Sequence, residues 1–303
     1  MFPCPLERTA LIRQLDEPRD LYVIDADDDP DHIRWLLKQL YARGDKREIS
    51  SLLVSYEVES PLLLELLRGE GLNHLIARHG GLTASQELID EAELIVTCQK
   101  LVRKDIFGLD KYISTWGVKV HEQVLTRAEQ KHDALTQLDA FLHRLDCHGS
   151  IVPAISLVAD ELLMNAIFNA PRDEAGKGKY VDIDRAQPLA LDDHEHVTFR
   201  YACDGRYVAL SVSDNFGSLD RDVIMRYLER CFLGSQGVIE EKRAGAGLGL
   251  FMVFNSITQL SFNIDQGKRT EVIALFYVRG GARAFKLSGR SLNIFMLRNE
   301  ETE

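Results

Sequence analysis

The chain is poor in the features that mark special classes of protein. Its 303 residues include five cysteines (Cys4, Cys98, Cys147, Cys203 and Cys231), an odd number with no C-x-x-C pair. A chain of this length needs no disulfide staples, so the thiols read as reduced. No apolar run approaches the ~18 residues that a membrane span requires. The longest, around Ser150 to Ala159 and Leu248 to Phe254, fall far short. The N-terminal stretch from Met1 to Asp20 has no apolar core bounded by basic residues, which predicts no secretory signal. These absences predict a cytoplasmic protein without a membrane partner. Positive charge is also scarce: 36 Lys and Arg against 47 Asp and Glu leave a formal charge of −11. Such a surface repels a phosphate backbone and disfavours nucleic acid as a partner. An anionic ligand must therefore be held by local devices.

The remaining composition, 45% hydrophobic and 27% charged, is that of a soluble globular protein. The length suits about two domains. Leu21 to Ala26 reads as a strand, and Asp27 to Pro30 as a helix cap with proline in the first turn. Ile33, Leu36, Leu37 and Leu40 form one helical stripe. Ser51 to Tyr56 reads as a strand, Pro61 to Leu67 as a helix and Leu72 to Ala77 as a strand, an alternation that predicts a small α/β unit. A helix is expected over Ser85 to Lys104 with Ala92, Ile95, Val96 and Leu101 among its apolar positions, then a connection from Asp105 to Lys119. A long charged helix is expected over His121 to Leu145, and another from Ser150 to Asn169, stopped by Pro171. Pro171 to Asp193 is polar and reads as a loop. Two alternating runs around Asp204-Gly205 are a hairpin signal. A helix over Arg221 to Phe232, a glycine-rich stretch to Gly249, a helix to Leu260 and strands near Ser261 to Ile264 and Glu271 to Val278 follow.

Three segments carry candidate chemistry. Glu161 and Asn165, four apart, share a helix face that Asn169 continues. A carboxylate and an amide aimed together can polarise a water and offer oxygen to a hard cation such as Mg²⁺. Asp214, at the end of the second hairpin strand and followed by Asn215-Phe216-Gly217, can accept a hydrogen bond from an exocyclic amine. Gly245, Gly247 and Gly249, with Leu250, open a helix whose bare N–H groups suit an anion, and Lys242 and Arg243 precede them. In order and context these segments resemble the N, G1 and G2 boxes of the GHKL superfamily of ATPases (gyrase, heat-shock chaperone, histidine kinase and MutL). The resemblance covers about His121 to Val278.

It implies ATP and Mg²⁺ as ligands. Asn165 matches the metal-ligating asparagine, Glu161 the base, Asp214 the reader of the adenine amine, and the three glycines the phosphate-wrapping loop. Cys231 to Ala244 would be the ATP lid. In the usual D-x-G-x-G, glycines stand where this chain has Phe216 and Ser218, and Phe168 replaces the basic residue common in sensor kinases. His132 resembles a phosphoacceptor box, but it lies too close to Asn165 for a returning helix, so the bacterial anti-sigma-factor serine kinases are the nearer likeness. The implied fold is α/β: a degenerate receiver-like unit over 1–119, with Asp25, Asp27 and Asp28 as its acidic cluster, then a two-layer ATP-binding sandwich of GHKL (Bergerat) type over 120–303. The implied function is a signalling protein that acts as a serine/threonine kinase-like or anti-sigma-like regulator. Its partner would be a sigma factor, an antagonist or a response-regulator-like protein, with a homodimer left open. The alternatives are a non-catalytic ATP-gated interaction module and autophosphorylation on histidine.

Overall fold

The computed structural model describes residues 21–25, 30–42, 50–55, 66–67, 71–80, 87–88, 90–113, 117–145, 147, 149, 151–185, 187–234, 257–279 and 289–297. The elements in chain order begin with β1 (Tyr22–Asp25), α1 (Pro30–Tyr41), β2 (Ser51–Ser55), β3 (His74–Ala77) and the short strands β4 (His79–Gly80) and β5 (Glu87–Leu88). There follow α2 (Glu91–Arg103), β6 (His121–Leu125), α3 (Gln130–Arg144), α4 (Val152–Met164) and a π turn over Asn165–Asn169. The chain continues with β7 (Val197–Cys203), β8 (Tyr207–Asp214), α5 (Arg221–Gly234), β9 (Gln259–Asp265), β10 (Arg269–Tyr277) and β11 (Ser291–Leu297).

The protein is a mixed α/β fold built on one nine-stranded mixed sheet, ordered β1-β2-β3-β11-β9-β10-β8-β7-β6. Strands β1, β2 and β3 run parallel, β11 joins antiparallel to β3 and parallel to β9, and β9-β10-β8-β7-β6 is an antiparallel run. Strands from both sides of residue 120 thus share one sheet, and the last strand, β11, links them. No strand was expected over β11, although Leu292, Ile294 and Met296 alternate with Asn293 and Phe295.

Period-two alternation sorts the residues between the two faces of the sheet. Val208, Leu210 and Val212 of β8, Leu260, Phe262 and Ile264 of β9, and Ala274 and Phe276 of β10 enter the main core, with Ile155, Val158, Leu162 and Leu163 of α4. Each such leucine is worth ~1.5–3 kcal/mol on full burial. That demand fixes α4 against the inner face. It also explains why Val152–Asn169 is, among the described residues, the one helical stretch long and apolar enough to cross a membrane: 56% of it is buried in the fold. The hairpin forms as its turn signal predicts, with Gly205 at φ +86° and Asp204 Oδ1 accepting from the backbone N–H groups of Arg206 and Tyr207.

Two helices differ from expectation. The charged helix over His121 to Leu145 is split: its first five residues are β6, paired with β7, and α3 starts only at Gln130. His121 stacks on Tyr201 at 5.0 Å, and the Gln130 side chain closes the turn by accepting from the N–H groups of Thr126 and Arg127. Long-range pairing overrode the local helical pattern. In α2, Ile95 is 54% exposed, while Glu93, Thr97 and Lys100 are buried with Leu101. The reason lies in the face that α2 covers. The outward residues Ser261, Asn263, Glu271, Ser291 and Asn293 are buried and polar, so the helix above them turns its own polar side inward. Gln259–Leu260, expected at the end of a helix, opens strand β9.

Candidate functional site

A cavity of about 160 Å³ opens on the inner face, between α4 with its π turn, the end of β8 and the start of α5. Glu161, Asn165, Asn169 and Asp214, taken from separate sequence segments, all line it. The π turn has a local cause in its hydrogen bonds: Ala170 N–H bonds to Asn165 C=O, five residues back, at 2.9 Å. In an α-helix, residues four apart are offset by ~40° around the axis; the wider turn reduces that offset. Asn169 Nδ2 consequently donates to Asn165 Oδ1 at 2.7 Å, which fixes the Asn165 carbonyl oxygen in the cavity wall. One turn earlier, burial pushes the half-buried Glu161 carboxyl up from its ordinary range. Asp160 adds to the rise, and Arg185 and Lys131 oppose it. A carboxyl raised in this way is a better proton acceptor than an exposed one.

Asp214 ends β8 and is buried. Desolvation pushes its carboxyl up to about 6, against the N–H groups of Phe216 and Gly217, which favour the charge. The Phe216 N–H donates to Asp214 Oδ1 at 2.9 Å. Directly across the ladder stands Thr270 of β10. Its hydroxyl is buried in the cavity wall, near enough to favour the Asp214 carboxylate. The walls around this pair are apolar: Val212, Ile224, Phe262 and Val272. The cavity therefore offers an acceptor and a hydroxyl beside greasy walls, together with a carboxyl and an oriented amide oxygen.

The turn after Asp214 is locked. Gly217 has φ +56°, and a Cβ there would stand 2.0 Å from the carbonyl oxygen of Asp265. Only glycine fits both the conformation and the space. Ser218 Oγ donates to Ala170 C=O at 2.9 Å, tying this turn to the end of the π turn. Phe216 packs edge-on against His194 at 4.9 Å, so the bulky residue in the glycine-poor motif faces the 171–193 loop. That loop is itself pinned: Lys179 bonds Glu195 and Asp192, and Tyr180 OH donates to Glu195 Oε2.

Lys242, Arg243, Gly245, Gly247, Gly249 and Leu250 lie outside the described residues, as does the lid segment beyond Gly234. Thr270 and Arg172 belong to the cavity wall and had no signal in sequence. Thr270 becomes meaningful only through its cross-strand pairing with Asp214. Among the described residues no group of three or more His, Cys, Asp or Glu is placed to hold a metal ion. A smaller cavity on the outer face, with Glu93, Tyr112, Tyr207 and Gln259 in its wall, contains none of the expected site residues. No protein-family model matches the chain, and no curated protein matches it.

Proposed function

We propose that this chain binds ATP with Mg²⁺ in the inner-face cavity and acts as a GHKL-type regulator of a protein partner, phosphorylating a serine or threonine hydroxyl on it. The observation that carries the reading is the convergence of Asp214, Thr270, Glu161, Asn165 and Asn169, from separate sequence segments, on one cavity with apolar residues in its walls. The exocyclic amine of adenine is a donor for the Asp214 carboxylate, and the Thr270 hydroxyl can donate to the adjacent ring nitrogen. Val212, Phe262 and Val272 suit the faces of the base.

The residues present fit a hard cation, because Asn165 presents an amide oxygen held in place by Asn169. Bound Mg²⁺ would neutralise charge on the phosphates. Glu161 would accept the proton of the attacking hydroxyl, and its raised affinity for a proton serves that role. Residues 1–119, with their three parallel strands, would serve as a degenerate receiver-like docking unit. The sigma-factor or antagonist class of partner follows from the likeness to anti-sigma-factor kinases. The surface charge of −11 favours a protein over a nucleic acid.

Calorimetric titration with Mg-ATP tests the site. Asn165→Ala is expected to weaken binding by about 10–100-fold, as expected for a lost charge-assisted contact; unchanged affinity refutes the assignment. Incubation with γ-labelled ATP and co-purified partners then separates kinase from ATP-gated module. Acid-stable label on the partner, lost in Glu161→Gln, supports transfer. Binding without label supports gating alone.

A further inference from the structure

The polar side of α2 meets the sheet in two unequal halves. Around Lys100 the buried polar groups are bonded: Lys100 Nζ donates to Tyr112 OH at 2.8 Å and to Asn263 Oδ1 at 2.7 Å. At the first turn of α2 a cavity of about 50 Å³ opens instead, between that turn, Tyr112, Tyr207 and the start of β9. Glu93 and Gln259 stand in its wall, 8% and 4% exposed, and Glu93 Oε1 and Gln259 Nε2 complete no hydrogen bond. The other polar groups of the wall are engaged. Asp90 Oδ1 accepts from the N–H groups of Ala92 and Glu93, while Asp90 Oδ2 accepts from Tyr207 OH at 2.8 Å and pairs with Arg206 at 2.9 Å. Lys111 pairs with Asp105 at 3.0 Å, Tyr112 OH donates to Ser261, and Thr258 Oγ1 donates to Leu275 C=O.

One unmet acceptor and one unmet donor in the same small cavity define the guest that completes both, since an unpaired buried polar group costs its full desolvation. Charge adds a second constraint. Asp90 and Lys111 already have partners, and burial, with Asp90 adding to it, pushes the Glu93 carboxyl up to about 8. That carboxyl is largely neutral at pH 7, so a neutral guest is favoured over an ion, which would lose its hydration without a counter-charge. Size is the third: a water needs about 10–15 Å³ of such space, which leaves room for about four non-hydrogen atoms. We propose that this cavity binds a small neutral primary amide, whose N–H donates to the Glu93 carboxyl and whose carbonyl accepts from Gln259 Nε2. A primary amide carries donor and acceptor side by side in one plane. Val96, Tyr112 and Leu275 offer apolar surface to its faces. Nothing in this site depends on what the cavity on the opposite face binds.

Acetamide is the probe, titrated into the full chain with saturation-transfer NMR as the readout. Four non-hydrogen atoms hold a ligand only modestly, so saturable binding is expected with Kd of about 0.1–10 mM. Acetone keeps the carbonyl and lacks the N–H, and should bind at least about fivefold more weakly. Acetate and methylammonium, which carry charge into a cavity whose charges are already paired, should be at least about tenfold weaker. Butanamide, two methylenes longer than the space admits, should lose at least about tenfold as well. Gln259→Leu and Glu93→Leu should each weaken acetamide binding at least about fivefold and leave the Mg-ATP titration unchanged. If a variant does not fold, the analogue series on the unaltered chain decides alone. Absence of saturable acetamide binding up to about 100 mM, which leaves water as the occupant, overturns the proposal. So does acetone, butanamide or either ion bound as tightly as acetamide, or acetamide binding indifferent to both substitutions.

Discussion

The two faces of strands β8, β9 and β10 bury polar groups to opposite ends. On the outer face many polar side chains bond to one another, although Glu93 Oε1, Thr97 Oγ1, Gln259 Nε2 and Asn293 Nδ2 complete no hydrogen bond there. Lys100 reaches Tyr112 and Asn263, Asn263 Nδ2 donates to Glu271 Oε2 at 3.1 Å, Ser211 Oγ donates to Glu271 Oε1 at 2.8 Å, and Tyr112 OH donates to Ser261 at 3.0 Å. On the inner face the core is apolar, and its polar groups, Asp214 and Thr270 among them, gather around a cavity. Glu271 and Thr270 are consecutive residues that face opposite sides of the sheet. Glu271 is bonded within the fold, whereas Thr270 lines the cavity beside Asp214. A buried polar group bonded into a network is a structural element, whereas one that lines a cavity can meet a ligand.

Substitutions that separate stability from binding probe this contrast. The largest effect is expected at Lys100. Lys100→Met strands Asn263 and Glu271 without their cation, and should lower unfolding free energy by about 3 kcal/mol in urea titration while leaving nucleotide affinity unchanged. Burial pushes the Lys100 ammonium down to about 7, so the unfolded chain binds the extra proton above that pH. The advantage of wild type over Lys100→Met should therefore grow from pH 7 towards 10. A flat difference, or a variant as stable as wild type, removes the structural role of the outer network.

Asp214→Asn should show the opposite signature. Nucleotide affinity should fall by roughly 2 kcal/mol, about 30-fold, because the amine loses its charged acceptor. Stability at neutral pH should hold or rise, since burial raises the folded carboxyl above its ordinary value and its ionisation opposes folding. The stabilising contribution of the protonated carboxyl is fully present below the ordinary aspartate range and is lost as pH rises through about 6. A marked fall in melting temperature would make Asp214 part of the scaffold. A smaller effect is a pH profile: Mg-ATP affinity should drop about tenfold as Asp214 protonates between pH 7 and pH 5, and Asp214→Asn should flatten the drop.

Where the chain could be read locally, sequence and structure agree. Asp204-Gly205 marks its turn, Pro171 its stop, and Glu161, Asn165 and Asp214 reach one cavity because helix face and strand end are short-range properties. Long-range pairing was illegible. His121 joins a strand because Tyr201 and β7 await it, α2 buries Lys100 because Asn263 lies beneath, and β11 links β3 to β9 from the far end of the chain. Thr270 was silent for the same reason, since its partner across the ladder is 56 residues away in sequence (270 − 214).

The claim that this cavity reads an adenine amine is tested most directly by titrating the full chain with ATP and with inosine triphosphate, in the presence of Mg²⁺. Inosine replaces the amine by oxygen, which confronts the buried Asp214 acceptor with another acceptor. Saturable ATP binding, with inosine triphosphate at least about tenfold weaker, is predicted. Equal affinity for the two nucleotides, or no binding of ATP, would contradict it.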